Sequence, residues 1–222
     1  MLYALDAVSA SRVEASPGID AVCPCCRTHV IPKCGRVVIH HFAHEHAKDC
    51  DPWSEGESAW HSGWKLRWAP EYREVPFELL HRADVYSFGY VVELQHSSIG
   101  VEEIEKREAY YSKAAACGMV WLFDATGPVD GERFWTEPEG PPGAPIHHNF
   151  RWFRSRKTIA ACRAPLFLDI GGGEVFHVRK FHPGPLTRGW GHIISADEFV
   201  RRYTEPPPRP GMEAPHNLFG AL

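Results

Sequence analysis

Five of the seven cysteines fall in one short window, "VCPCCRTHVIPKCGRVVIHHFAHEHAKDC", residues 22–50. No other feature constrains the fold so strongly, because a stretch this short cannot bury enough apolar surface to hold itself together. Cys23 and Cys26 have the two-residue gap that lets both sulfurs reach one tetrahedral ion from a tight turn. His44 and Cys50 supply a second pair in an H-x5-C spacing. Three thiolates and an imidazole suit structural zinc, closed to chemistry. "CPCC" also offers Cys25 as a competing ligand, and Cys34, His41 and His46 lie within range.

The bulk properties set wide limits. The 222 residues suffice for one large domain or a domain with a small appendage. With 44% hydrophobic residues the chain can bury a normal core, and a net charge of -4 neither announces nor excludes a nucleic-acid partner. No apolar run approaches the ~18 residues of a membrane span. "MLYALDAVSASRVEASPG" lacks the basic and apolar regions of a signal peptide. The expectation is a cytoplasmic protein without a membrane partner, whose cysteines are thiols or ligands.

Four segments follow from pattern and breakers. Residues 1–52 read as an N-terminal strand plus the metal-binding module, with two short strands around a Lys33-Cys34-Gly35 turn. Residues 53–135 alternate helix-like and strand-like stretches. Residues 136–149 form a Pro/Gly-rich loop, and 150–222 a basic and aromatic extension with a Pro-rich tail. Within the second segment, "SEGESAWHSGWKLRWAP" predicts a helix with Ser54-to-Glu57 capping-box spacing, ended by Pro70. "VEEIEKREAYYSKAAACG" predicts a second helix, and "MVWLFDA" a buried strand. Further on, "APLFLDI", a triple-glycine turn, "EVFHVRKF" and a closing helix at "SADEFVRRY" continue an α/β (α+β) pattern.

The stretch "HRADVYSFGYVVELQHSSI" predicts two strands joined tightly at Phe88 and Gly89. That loop puts Asp84 directly opposite Glu93, at roughly 5 Å between Cβ atoms. Gln95 shares the face of Glu93, since strand side chains alternate. Two carboxylates so close repel unless a cation sits between them or one is protonated. In the preceding helix Glu57, His61 and Lys65 fall at helical i, i+4 and i+8 positions, opposite Trp60, Trp64 and Trp68. A helix bearing Glu, a hairpin bearing Asp and Glu-x-Gln, then a helix and a strand, is the order of a metal-dependent nuclease core. Two carboxylates are what Mg²⁺ or Mn²⁺ takes from protein, leaving other positions to water and phosphate.

In motif order and spacing, "CPxC…HFAH…C", "ES…H…K", "RADV…VELQHSSI", "R…YY" and "WLFD" resemble the CoiA-like competence proteins over about residues 20–125. The resemblance implies a PD-(D/E)XK-type, restriction-endonuclease-like mixed sheet flanked by helices, behind a zinc-ribbon-like module. It implies that Asp84 and Glu93 bind the catalytic metal, that Glu57 is the acid of the first helix, and that Gln95 takes the position usually held by lysine. An amide can orient water or phosphate but carries no charge. Lys65 and His61 are the candidates for the missing cation. The implied activity is hydrolysis of DNA phosphodiesters in DNA processing, recombination or defence. A DNA-binding accessory protein with little turnover, working beside recombination or defence proteins, is the alternative.

The C-terminal third adds "FRWFRSRK", where Arg151, Arg154, Arg156 and Lys157 interleave with Phe150, Trp152 and Phe153. Basic and aromatic interleaving suits a phosphate backbone and stacked bases, of single- or double-stranded DNA.

Overall fold

A computed structural model describes residues 1–37, 39–45, 50–51, 53, 58–78, 81–141 and 146–206, with the backbone alone at Lys157. The chain forms two compact units, one of residues 1–86 and 91–97, the other of residues 87–90 and 98–222. Their boundaries differ from the four segments read off the sequence. The mixed α+β class is as expected.

The first unit opens with a small antiparallel sheet. Its strands are β1 (Tyr3–Asp6), β2 (Arg12–Glu14), β3 (Ala21–Val22), β4 (His29–Lys33) and β5 (His41–His44), in the order β2-β1-β3-β4-β5. The expected pair of short strands is present, with Val30 opposite His44 and Lys33 opposite His41. Their connection spans residues 34–40 rather than a three-residue turn. The core beneath is thin: Ala4, Ala15, Ala21, Cys23, Cys25 and Val30 with one large ring, Phe42. Side chains this small release little free energy on burial, at about 25 cal/mol per Å².

The same unit continues with helix α1 (Ala59–Lys65), β6 (Arg73–Phe77), β7 (His81–Ser87) and β8 (Tyr90–Gln95), the strands in the order β8-β7-β6. Ser58, with extended backbone, caps α1 by accepting the His61 N–H. The capping residues expected at Ser54 and Glu57 lie outside the described residues. Phe88 and Gly89 form the hairpin loop, with φ of 48° and 89°. Positive φ at both central residues marks the primed turn whose twist matches the flanking strands.

The second unit holds α2 (Val101–Ala114), β9 (Met119–Asp124), α3 (Thr126–Asp130), β10 (Phe134–Glu139), β11 (His147–Phe153), β12 (Leu166–Gly171), β13 (Glu174–His182), β14 (Leu186–Ser195) and α4 (Ala196–Arg202). Its strands run β10-β11-β14-β13-β12-β9, antiparallel except for the β12–β9 pair. Every residue of β9 is buried, as its continuous apolar run requires. Phe150, Trp152, Phe167, Phe176 and Phe199 fill the core. The loop expected from Thr136 onward is strand as far as Glu139. Pro138 is tolerated there because β10 is the outermost strand of this order and needs no second ladder. Among the described residues no helix is long and apolar enough to cross a membrane.

Candidate functional site

The turn after β3 folds back on itself: Cys23 N–H reaches the Thr28 carbonyl at 2.8 Å, and Arg27 N–H the Cys23 carbonyl at 3.1 Å. This reversal turns Cys23 and Cys26 to one side, while the end of β5 brings in His44 and the following segment Cys50. The four ligand atoms lie within 4.8 Å of one another. Cys23 Sγ is 3.6 Å from Cys50 Sγ, and Cys26 Sγ is 3.3 Å from His44 Nε2. A tetrahedral ion with bonds of about 2.3 Å to sulfur sets its sulfurs about 3.8 Å apart, so the donor set fits a metal such as zinc. Cys25, Cys34 and His41 are not in the group, and His46 lies outside the described residues. The Cys25 contact and then burial push the Cys23 thiol up to about 12. Burial likewise pushes the Cys50 thiol up to about 12.

Asp51, buried next to Cys50, ties this group to the hairpin. Its carboxylate accepts His81 Nδ1–H at 2.9 Å and the Arg82 N–H at 2.8 Å, at the start of β7. The Trp53 ring stacks on His81.

On the hairpin, the register Arg73–Val85 and Val75–Ala83 puts Glu74 opposite Asp84. The two-residue loop puts Asp84 opposite Glu93, so three carboxylates cross β6, β7 and β8 in one row. From α1, Lys65 enters this row, its Nζ 3.0 Å from Glu74 and 3.2 Å from Asp84. The Lys65 and Glu74 side chains are 4% and 1% exposed, whereas Asp84 keeps 20% of its surface open. Glu74 also accepts the N–H groups of Leu2 and Tyr3, at 2.7 and 3.1 Å. Its backbone has a positive φ of 49°. Burial works to raise the Asp84 carboxyl, but the charges of Lys65 and His61 and the Leu94 N–H bond, 3.0 Å long, hold it below its usual value. Burial opposes ionisation of Glu74 too, and Lys65, Arg82 and the terminal ammonium outweigh it, leaving its carboxyl well below the carboxylate range.

The expected site residues therefore divide. Asp84, Glu93, Gln95, His61 and Lys65 belong to the α1–hairpin region, and Glu57 lies outside the described residues. His61 and Lys65 are buried together with Trp64 of the same helix, so they do not lie on a face opposite the tryptophans as expected; neighbouring positions of a helix are only about 100° apart. His61 Nε2 donates to the Leu94 carbonyl at 2.8 Å, and its Nδ1 faces the Ser58 hydroxyl at 3.1 Å, which pins α1 to β8. Gln95 is buried on β8 and donates to the Ser97 carbonyl. Sequence reasoning missed Glu74, Asp51 and Arg82. For Glu74 the signal was an acid in a strand, "REVPF", that otherwise wants burial.

The basic segment is corrected in part. Phe150 and Trp152 are core residues and cannot stack on bases. Arg156 donates to the Asp124 carbonyl and lies over the Phe123 ring. Arg151 and Arg154 are exposed, Arg154 over Phe153. The Lys157 side chain lies outside the described set.

Residues 19–52 match the family model of the N-terminal domain of competence protein CoiA. The segment that holds the four metal-capable side chains is thus similar to the CoiA N-terminal domain, which supports the resemblance to CoiA-like competence proteins. No curated protein and no solved structure matches the chain.

Proposed function

We propose that the chain is a divalent-metal-dependent nuclease acting on DNA, CoiA-like, with a structural zinc ion in its N-terminal module. The observation that carries this reading is the carboxylate row with its own buried cation: Lys65 held 3.2 Å from Asp84 while Glu74 fixes its other side. Asp84, partly open, and Glu93 offer hard oxygens of the kind Mg²⁺ or Mn²⁺ accepts from protein. Such an ion, when bound, activates water and neutralises charge on the phosphoryl group. Lys65 supplies the positive charge that Gln95 cannot, and its anchorage to Glu74 keeps it in position when Asp84 turns to another cation. His61, with both ring nitrogens engaged, positions α1 rather than moving a proton. Cys23, Cys26, His44 and Cys50 hold the zinc. The CoiA likeness supports a role in the processing of DNA during competence, recombination or defence, in the cytoplasm.

A second reading, a DNA-binding accessory protein with little turnover, draws on the Gln95 amide bonded to Ser97 and on Lys65 already neutralising Asp84. The deciding experiment incubates single- and double-stranded DNA and RNA with the protein in Mg²⁺, Mn²⁺ or EDTA. Wild type is expected to cleave DNA only with the ion, and Asp84→Ala and Glu93→Ala to lose several orders of magnitude in rate. Cleavage that persists in both variants removes the row as active site. A wild type that binds DNA but never cleaves favours the accessory role.

A further inference from the structure

In β14, "LTRGWGH" alternates between the two faces of the sheet. Thr187 and Gly191 are buried, while Arg188 and Trp190 are exposed. The glycines are dictated by close approach: a Cβ on Gly189 would lie 2.0 Å from the Lys180 carbonyl and 2.6 Å from the Phe150 ring, and one on Gly191 2.1 Å from the His177 carbonyl and 2.6 Å from the Phe176 ring. Of the outward residues, Trp190 meets the His147 and His192 rings edge-on, each with centroids 5.7 Å away. Trp190 is 37% exposed on β14, an interior strand of the unit, and Trp135 is 37% exposed on β10, its outermost strand.

Strand register assembles these side chains. Trp135, Arg151 and Arg188 form one row across β10, β11 and β14. The next row on the same face holds Glu137, Asn149, Trp190 and Lys180. Phe153, opposite Leu186, extends the face on the other side, exposed over 44% of its surface. Two acids interrupt it at the β10 end, Glu137 facing Arg151 at 3.6 Å and Glu139 facing His147 at 3.4 Å. Exposed pairs at such distances are weak, within about 1 kcal/mol, and yield to a phosphate. Arg188 and Lys180, on the two strands away from those acids, are exposed.

We infer that this outer face, with Trp135 and Trp190 as stacking platforms and Arg151, Arg188 and Lys180 as phosphate contacts, binds single-stranded DNA. The inference rests on the DNA reading above and moves its binding surface from the "FRWFRSRK" run to a face spread over four strands. Aromatic rings separated by cations match a polyanion with unstacked bases, because every base has a π-face to stack and a phosphate beside it. A protein partner would meet a continuous apolar patch instead.

The test is fluorescence anisotropy of a labelled oligothymidylate with the full chain and no divalent ion. Trp135→Ala/Trp190→Ala is expected to weaken binding roughly tenfold for each tryptophan, with Trp190→Phe retaining most of it. Arg151→Gln/Arg188→Gln is expected to flatten the salt dependence by about 0.7 in slope for each arginine replaced. Thermal melts establish that the variants are folded. A folded tryptophan double variant with wild-type affinity overturns the inference, as does equal competition by duplex DNA. Cleavage is scored separately. A wild type that never cleaves, yet loses binding in the double variant, keeps this surface and ends the nuclease reading. Cleavage by a double variant of unchanged affinity does the reverse.

Discussion

The Cys23–Cys26–His44–Cys50 group and the Glu74–Asp84–Glu93 row both crowd groups able to carry negative charge into the first unit; the Arg82 charge acts on both neighbourhoods, and in the row Lys65 also bridges two of the acids. The thiol group consists of soft donors that point at one another, and burial pushes the Cys50 thiol up to about 12. The row consists of hard donors that Lys65 already bridges. The thiol group could meet its electrostatic demand with a metal that must arrive, whereas the row meets it with a side chain the helix delivers. A metal and a lysine would each supply positive charge, and taking either away leaves its donors uncompensated.

Removing the metal is expected to give the largest effect. Binding to a structural zinc site is worth on the order of 10 kcal/mol at neutral pH, and the small-residue core around it has little to put in its place. Protein purified without chelator should contain about one zinc per chain, and strong chelation or Cys26→Ser should abolish the cooperative melt of the N-terminal module. Elemental analysis that finds no bound metal would break the contrast at its first term.

Taking away Lys65 is expected to come next. Lys65→Met removes the one cation in contact with both Glu74 and Asp84, leaving the more distant Arg82, terminal ammonium and His61 to offset them, and loss of one partner of a buried pair costs about 3–5 kcal/mol. Urea denaturation measures it. Lys65→Met/Glu74→Gln should recover much of the loss, because the uncompensated charge is the source of the cost. A single variant within about 1 kcal/mol of wild type means that the row is neutralised by something else.

Acid sharpens the comparison with a smaller change. Asp84 and Glu74 have carboxyls lowered in the folded state, so their contribution is present above the unfolded value of about 4 and is lost as pH falls through the folded one. Urea midpoints measured from pH 7 downward should drop less steeply below pH ~4 for Asp84→Asn than for wild type. Equal slopes mean that Asp84 is not held ionised by Lys65.

The metal-capable group was legible because ligand spacing is local: a two-residue gap and an H-x5-C gap point to Cys23, Cys26, His44 and Cys50, although Cys25, Cys34, His41 and His46 stayed open as competitors until the fold brought those four together. The hairpin was legible for the same reason, since its loop is only Phe88 and Gly89. Glu74 was not, because its role depends on a lysine nine positions earlier and on N–H groups more than seventy positions earlier. "FRWFRSRK" misled through its alternation, which sends Phe150 and Trp152 inward together. Of the outer face of the second unit only Arg151 was read, for its members come from β10, β11, β13 and β14 and become neighbours only through strand order.

The bonds from Glu74 to Leu2 and Tyr3 bear on whether the metal module can be excised. A fragment ending at residue 52 would keep all four metal-capable side chains. It would also strand the buried N–H groups of Leu2 and Tyr3 without their acceptor, and Asp51 without the Arg82 N–H and the His81 ring it binds. Each severed bond of this kind costs about 1–3 kcal/mol if its group stays buried. The module and the hairpin are consequently one inheritable piece: a recombination event that transplants the cysteines alone moves a metal site without the scaffold that closes it, whereas a cut after Ser97 carries both.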